Sequence, residues 1–269
     1  MNQRRNWKRT LQLIAILLCA FTLKLYYSSA SVNQLRWILA PTTAIVEFVT
    51  GLSFEFEVHA GYITSDRSFV IAASCAGVNF LITAFLMLSL RQLWQNRAGN
   101  QSANIAWTLI PKAFVFAYLA TLVANTVRIS TALRLREMPL EIAWLSPNQL
   151  HRLEGIVIYF GFLLLLFVVS ERLSPNVRQG ASSAPVASVT RNADGLFQRS
   201  LFPLLIYYAT ALGIRLANGA YRQGIDFWEH SVFVLVVPLL LVLTLAAFRF
   251  IRYQSAGVRS KPGAQVVLR

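Results

Sequence analysis

Repeated apolar runs, each about as long as a membrane crossing, constrain this chain more than any other feature. Apolar residues make up 56% of the 269 residues, and charged residues make up only 13%. This balance lies outside the range of ordinary soluble domains. A helix needs roughly 20 apolar residues to cross the hydrocarbon of a bilayer. The sequence therefore predicts an all-α fold, a polytopic integral membrane helix bundle.

Six runs are predicted to cross the membrane, with borders uncertain by a few residues. They are Leu11 to Ser29, Phe69 to Leu90, Ile105 to Val127, Leu153 to Val169, Leu201 to Leu216 and Ser231 to Phe248. A seventh apolar stretch, Leu35 to Phe54, contains Arg36, Pro41, Glu47 and Gly51. Charges and helix breakers are costly in hydrocarbon, so we expect this stretch to be an interfacial or re-entrant segment.

The formal net charge of +14 indicates membrane topology and contact with the lipid bilayer, and no nucleic-acid partner is expected. The basic residues lie in short clusters between apolar runs, not along one polar face. Lys and Arg accumulate on the cytoplasmic side of membrane proteins. With the amino terminus inside and six crossings, the inside segments hold 15 basic and two acidic residues, whereas the outside segments hold seven basic and eight acidic residues. This arrangement is favoured, with the first run an uncleaved anchor rather than a signal peptide.

Three parts of the chain are expected from these borders. The stretch from Glu171 to Ser200 is rich in proline and serine and is typical of a linker. We therefore expect a membrane core at 1–172, a cytoplasmic linker at 173–200, and a C-terminal two-helix membrane extension with a basic tail at 201–269. The sequence does not indicate the function of the extension.

Three reactive side chains are predicted to lie on one outer face of the membrane. Cys75 heads the second run, Arg128 ends the third and His151 heads the fourth. A thiol, a guanidinium and an imidazole are the parts of a thiol nucleophile with its activator and proton carrier. Each alone has an ordinary explanation, as a packing cysteine, a snorkelling arginine or a helix-capping histidine. Their shared side and depth favour a catalytic site in which the three side chains converge.

Two amides are expected to support this trio. Asn79 lies four residues after Cys75, a spacing that would stack both on one face of a helix. Asn125 precedes Arg128 by three residues and would share its helix face. The second cysteine, Cys19, lies in mid-span at a different depth from Cys75, so no disulfide is expected.

The three histidines, His59, His151 and His230, are scattered without the spacing of metal ligands, so no metal or other cofactor is expected. His230 has Asp226 and Glu229 as near neighbours. That arrangement is more typical of interface decoration than of a second polar site.

Three stretches of the chain resemble the signature blocks of the exosortase and archaeosortase family, and most of all its exosortase K branch. They are Ser74 to Leu81, Asn125 to Ile129 and His151 to Gly155, and the resemblance covers about Phe21 to Val169. It implies that 1–172 is an exosortase-like catalytic core with Cys75, Arg128 and His151 in the catalytic positions. The chain departs from many members at Ala76, where they have serine, and residues beyond Leu201 are not matched.

The resemblance also implies a bacterial inner-membrane enzyme, a cysteine peptidase or transpeptidase with its site on the extracytoplasmic face. Its partners would be membrane-tethered proteins that carry a C-terminal sorting signal, cleaved through a thioester on Cys75. Hydrolysis and transfer to a glycan or lipid acceptor both stay open, and so does the division of roles between Arg128 and His151.

A small membrane transporter or a non-catalytic scaffold is the alternative, because six spans and few intramembrane charges also suit those classes. A transporter should carry ionisable residues near mid-span or broken helices. Lys112, next to Pro111, is the clearest such feature in the sequence.

Overall fold

Long helices and a small three-stranded sheet make up the described part of the chain. The computed structural model describes residues 2–98, 103–137, 147–173, 191–217, 219, 222 and 225–259. The elements are α1 (Asn2–Ser29), α2 (Arg36–Thr50), β1 (Phe54–Glu57), β2 (Gly61–Thr64), β3 (Val70–Ile71), a 3-10 turn (Ala73–Ala76), α3 (Val78–Ala98), α4 (Ala103–Glu137), α5 (Pro147–Arg172), α6 (Arg191–Ala211), α7 (Gly213–Ala217) and α8 (Ile225–Arg259). Most of the predicted linker lies outside the described residues.

Within the described residues, five helices are long and apolar enough to cross a membrane, which confirms the all-α polytopic bundle. Their apolar segments are Trp7–Ser29, Ala73–Gln95, Trp107–Arg136, Gln149–Arg172 and Phe227–Phe248. The fifth predicted run, Leu201 to Leu216, instead forms the shorter apolar helix Ser200–Ala211, and the chain turns at Leu212 before α7 begins. That apolar helix is about 18 Å long at 1.5 Å per residue, less than a full hydrocarbon thickness.

Neighbouring helices alternate in direction, so the ends of several elements meet at one end of the bundle. Lys24, near the end of α1, donates a hydrogen bond to Asn79 at the start of α3, with 3.1 Å between Nζ and Oδ1. Phe80 of α3 stacks on Tyr159 of α5 with the ring centroids 5.1 Å apart. We call this end, where α1, α4 and α6 finish and α3, α5 and α8 begin, the site end.

Helix α3 is the centre of the bundle. In its apolar segment 67% of the residues are buried, against 17–28% in the other four long segments, which leave most of their surface available to lipid. Small residues on α4 face it, namely Ala113, Ala117, Thr121 and Ala124, all fully buried. In a bilayer, helices associate through close packing rather than through the hydrophobic effect, and small residues let the two backbones approach.

The segment between α1 and α3 leaves the site end and returns to it, so it does not cross the membrane as an additional span. Helix α2 packs beside α4, where the Tyr118 hydroxyl donates to the Trp37 carbonyl oxygen at 2.7 Å. Glu47 then joins α2 to the sheet, because its Oε1 accepts a hydrogen bond from the Phe54 backbone at 2.8 Å. This path agrees with the interfacial or re-entrant segment expected from the sequence.

The antiparallel sheet, in the order β1-β2-β3, was not predicted. Phe54 pairs with Thr64 and Glu57 with Gly61, and β2 then pairs with β3. The alternation Phe-Glu-Phe-Glu in β1 has the period of a half-buried strand, but the strands are too short for that signal to stand out. The last strand, β3, is followed directly by the turn that contains Cys75.

The positive-inside count predicts which side of the membrane the site end faces. A reporter fused after Asn148 follows three crossings and should register outside, whereas one fused after Ala187 follows four and should register inside. Alkaline phosphatase and green fluorescent protein fusions at both positions measure this. The opposite pair of signals would place the site end in the cytoplasm.

Candidate functional site

Cys75 lies in a tight turn and not on a helix. The turn ends at Gly77, whose φ of 71° lies in the left-handed region. A Cβ on this residue would stand 3.2 Å from Asn125 Cγ and 3.2 Å from Thr121 Cγ2, so conformation and space both require glycine. Because α3 begins only at Val78, the prediction that Cys75 and Asn79 stack on one helix face is wrong. The Asn79 amide instead accepts the hydrogen bond from Lys24.

Asn125 holds this turn against the neighbouring helices. Its side chain is fully buried, and its Nδ2 donates to the Cys75 carbonyl oxygen at 2.6 Å. Its Oδ1 accepts a hydrogen bond from the Tyr159 hydroxyl at 2.9 Å. One amide therefore joins the Cys75 turn, α4 and α5, and it satisfies polar groups that would be costly to leave unpaired near a membrane.

Arg128 lies one turn further along α4 and contacts α5 through its guanidinium. Its Nη2 is 3.1 Å from His151 Nε2, and its Nη1 donates to the Tyr159 hydroxyl at 3.3 Å. The guanidinium carbon lies 5.4 Å from the centroid of the Tyr159 ring. A Cβ at Gly155 would come within 3.3 Å of Arg128 Nε, so the absence of a side chain at this position makes room for the arginine.

The contact between Arg128 and His151 indicates the tautomer of the imidazole. A guanidinium only donates hydrogen bonds, so the 3.1 Å contact is a hydrogen bond when His151 Nε2 carries its lone pair. The proton of the neutral ring is then on Nδ1, which lies 3.4 Å from Glu154 Oε2. That distance is longer than an ordinary hydrogen bond, and the buried carboxylate has no closer partner among the described residues. Glu154 also lies within electrostatic range of Arg128.

The Cys75 thiol lies beside this cluster without bonding to it. Within the part of the chain that the structure describes, the thiol forms no side-chain hydrogen bond, and it packs half-buried against the apolar core. It is within electrostatic range of Arg128, Tyr159 and Tyr27. The structure therefore brings Arg128 and His151 into direct contact, and it places Cys75 next to them. Cys19, by contrast, is exposed in mid-helix on α1.

A cavity of about 510 Å³ opens at the site end beside these residues. Ser74 and Gly77, on either side of the Cys75 and Ala76 pair, line it together with Arg128, His151 and Tyr159. Its lining contains four fixed cations, Lys24, Arg128, Arg152 and Arg215, and no aspartate or glutamate among the described residues. The cavity is thus strongly electropositive. No group of three or more potential metal ligands lies together in the described ranges.

Tyr159, Glu154 and Gly155 are site residues that the sequence analysis did not single out. His151, Gly155 and Tyr159 follow one another at spacings of four on α5, which places all three on one helix face toward Arg128. This polar, small, polar stripe in an otherwise apolar helix is the signal by which they could have been found. Lys24 and Asn79, on the opposite wall, are separated by 55 residues, and no local pattern links them.

Loss of the Asn125 amide should destabilise the protein. Asn125→Ala removes the donor to the Cys75 carbonyl oxygen and the acceptor of the Tyr159 hydroxyl proton, and each unsatisfied buried group costs about 1–3 kcal/mol. The free energy of unfolding in mixed micelles measures this cost. Asn33→Ala, at an exposed position, is the matched control and should change that free energy by less than about 0.5 kcal/mol. Equal stability of both variants would mean that the amide does not hold the turn.

No family model matches the chain, and neither the curated proteins nor the solved structures contain a match. The resemblance of its three signature stretches to exosortases stays a prediction.

Proposed function

We propose that the protein is a membrane cysteine peptidase or transpeptidase of the exosortase type. The observation that carries the proposal is the 3.1 Å contact between Arg128 and His151, beside the Cys75 turn and on the wall of one membrane-end cavity. The three signature stretches that resemble exosortases contain all three of these residues. The substrates are membrane-tethered proteins with a C-terminal sorting signal, and the site faces the extracytoplasmic side of a bacterial inner membrane.

Cys75 is the nucleophile of the proposed reaction. A thiol reacts as its thiolate, and most free thiol is protonated at neutral pH, so a nearby cation that stabilises the anion increases reactivity. Arg128 stays charged at any accessible pH and is within electrostatic range of the thiol. The position of Cys75 in a turn, with its carbonyl held by Asn125, fixes the backbone from which the thiol attacks.

His151 carries the protons. When the Arg128 contact with Nε2 opens, the lone pair of that nitrogen takes the proton of the Cys75 thiol, and Glu154 stabilises the imidazolium that forms. The thiolate attacks the scissile carbonyl carbon, and the developing oxyanion is stabilised by the Arg128 guanidinium. His151 then protonates the leaving amine, which leaves a thioester on Cys75. The neutral imidazole finally deprotonates a water molecule or an acceptor, whose oxygen or nitrogen attacks the thioester carbonyl; the C–S bond breaks, and the imidazolium returns its proton to the Cys75 thiolate.

The position of the cavity suits a tethered substrate. It opens at the end of the bundle, where the residues next to a single transmembrane helix would meet it. The transporter alternative finds less support, because Lys112 is exposed on α4 and is not among the residues that line the cavity.

Replacement of Cys75 tests the proposed nucleophile. Cys75→Ala should abolish processing of a co-expressed substrate that ends in a sorting signal, while the protein still accumulates in the membrane, because the change in volume is small. The size of the substrate on an immunoblot measures processing. Cys19→Ala removes the other thiol and should leave processing near normal. Normal processing by Cys75→Ala at normal abundance would exclude this mechanism.

Replacement of Arg128 by lysine separates charge from geometry. Arg128→Lys keeps the positive charge but loses the planar fork that reaches His151 and Tyr159 together. We expect the processing rate to fall by about 100-fold or more, the usual effect of losing an oriented oxyanion donor. Arg134→Lys, at an exposed position on the same helix, is the matched control. A loss of less than about threefold in Arg128→Lys would show that a point charge suffices.

A further inference from the structure

The second wall of the cavity comes from the C-terminal helices. Tyr207 and Thr210 of α6, Arg215 of α7, and His230 and Val234 of α8 line it opposite the Cys75 turn. Thr210 Oγ1 lies 2.9 Å from Thr83 Oγ1, and this buried contact fixes α6 against the central helix α3. The C-terminal segment is therefore built into the cavity and is more than an anchor beside it.

Cationic groups of α5 and α7 meet at this wall. The Arg152 and Arg215 guanidinium groups lie within electrostatic range of each other and of the His230 ring. Among the described residues, no ion pair joins either arginine to a carboxylate, and the buried Nη1 of Arg215 has no hydrogen-bond partner. The nearby Glu229 carboxylate accepts a hydrogen bond from Gln149 Nε2 at 2.8 Å.

Such an arrangement is costly in the absence of a ligand. Like charges repel, and a partly buried guanidinium with an unpaired nitrogen loses hydration without compensation. Two guanidinium forks match the oxygens of a phosphate group, which they bind through paired, charge-assisted hydrogen bonds. The unpaired Arg215 nitrogen is thus a donor to which the described part of the protein offers no acceptor.

We propose that Arg152 and Arg215, together with His230, bind the phosphate group of an anionic membrane phospholipid. The cluster lies at the site end, where the bundle meets the lipid headgroups, and Ile156 and Val234 give the same cavity apolar walls. The cavity of about 510 Å³ is within the range of small-molecule sites. This binding does not depend on reaction at Cys75.

Binding of lipid to the purified full-length protein tests the proposal. Native mass spectrometry in detergent counts bound lipid during titration with micelles of phosphatidylglycerol, and phosphatidylcholine serves as the neutral headgroup control. We expect one saturable phosphatidylglycerol site in the wild type. Arg215→Gln and Arg152→Gln should each weaken it by about tenfold or more, as expected for a lost charge-assisted hydrogen bond.

Controls separate the proposed site from general charge and from catalysis. Arg134→Gln removes an exposed cation elsewhere at the site end and should bind as the wild type does. Arg215→Lys should keep more affinity than Arg215→Gln, which excludes simple misfolding as the cause of the loss. Cys75→Ala should bind normally, so that a failure of the catalytic proposal would leave this result intact.

Three outcomes would overturn the proposal. Equal affinity of Arg215→Gln, Arg134→Gln and the wild type for phosphatidylglycerol would mean that the cluster does not hold the headgroup. Equal binding of phosphatidylcholine, whose phosphate carries a choline cation, would show that the site does not select an anionic headgroup. Saturable binding of inorganic phosphate without binding of phosphatidylglycerol would assign the site to a soluble anion and not to a lipid.

Discussion

The half-buried guanidinium of Arg128, at the end of a membrane helix, requires hydrogen-bond acceptors and counter-charge around it. The other residues of the site are arranged to supply them. Arg128 finds the Tyr159 hydroxyl and His151 Nε2 at its two terminal nitrogens. The buried Glu154 carboxylate lies within electrostatic range, and Gly155 leaves room for the side chain. The same contacts that compensate the charge hold the imidazole in one tautomer. The contacts that the two terminal nitrogens of Arg128 make and the orientation of the proton carrier are thus one arrangement.

The Asn125 amide performs a similar double task for the Cys75 turn. A 3-10 turn that ends in a left-handed glycine cannot continue the hydrogen-bond ladder of a helix, so its carbonyl groups need other donors. Asn125 supplies one to the Cys75 carbonyl and in turn accepts from Tyr159. Tyr159 therefore contacts both the Asn125 amide that holds the turn and the Arg128 guanidinium. A substitution at either place should alter the hydrogen bonds at the other.

Cations from both halves of the chain give the cavity its electrostatic character. Helices α1, α4 and α5 supply Lys24, Arg128 and Arg152, and α7 adds Arg215; among the described residues the lining contains no acid. A cavity with this excess of cations favours anionic groups, such as a phosphate, or the oxyanion that forms when a thiolate attacks a carbonyl. The proposed lipid site and the proposed catalytic site therefore both depend on the positive electrostatic potential of this cavity.

The sequence by itself determined the class of fold, because the length and spacing of apolar runs decide which segments cross a bilayer. It also made Cys75, Arg128 and His151 candidates for a site, because the same runs place them at span ends. Only the tertiary structure revealed that Cys75 precedes its helix, because Gly77 adopts a left-handed conformation that the sequence permits but does not require. The contacts of Tyr159 and Asn125 also became visible only in the structure, and so did the position of Arg215 on the cavity wall. They arise from packing between helices that are distant in sequence, and no local periodicity of the sequence encodes such contacts.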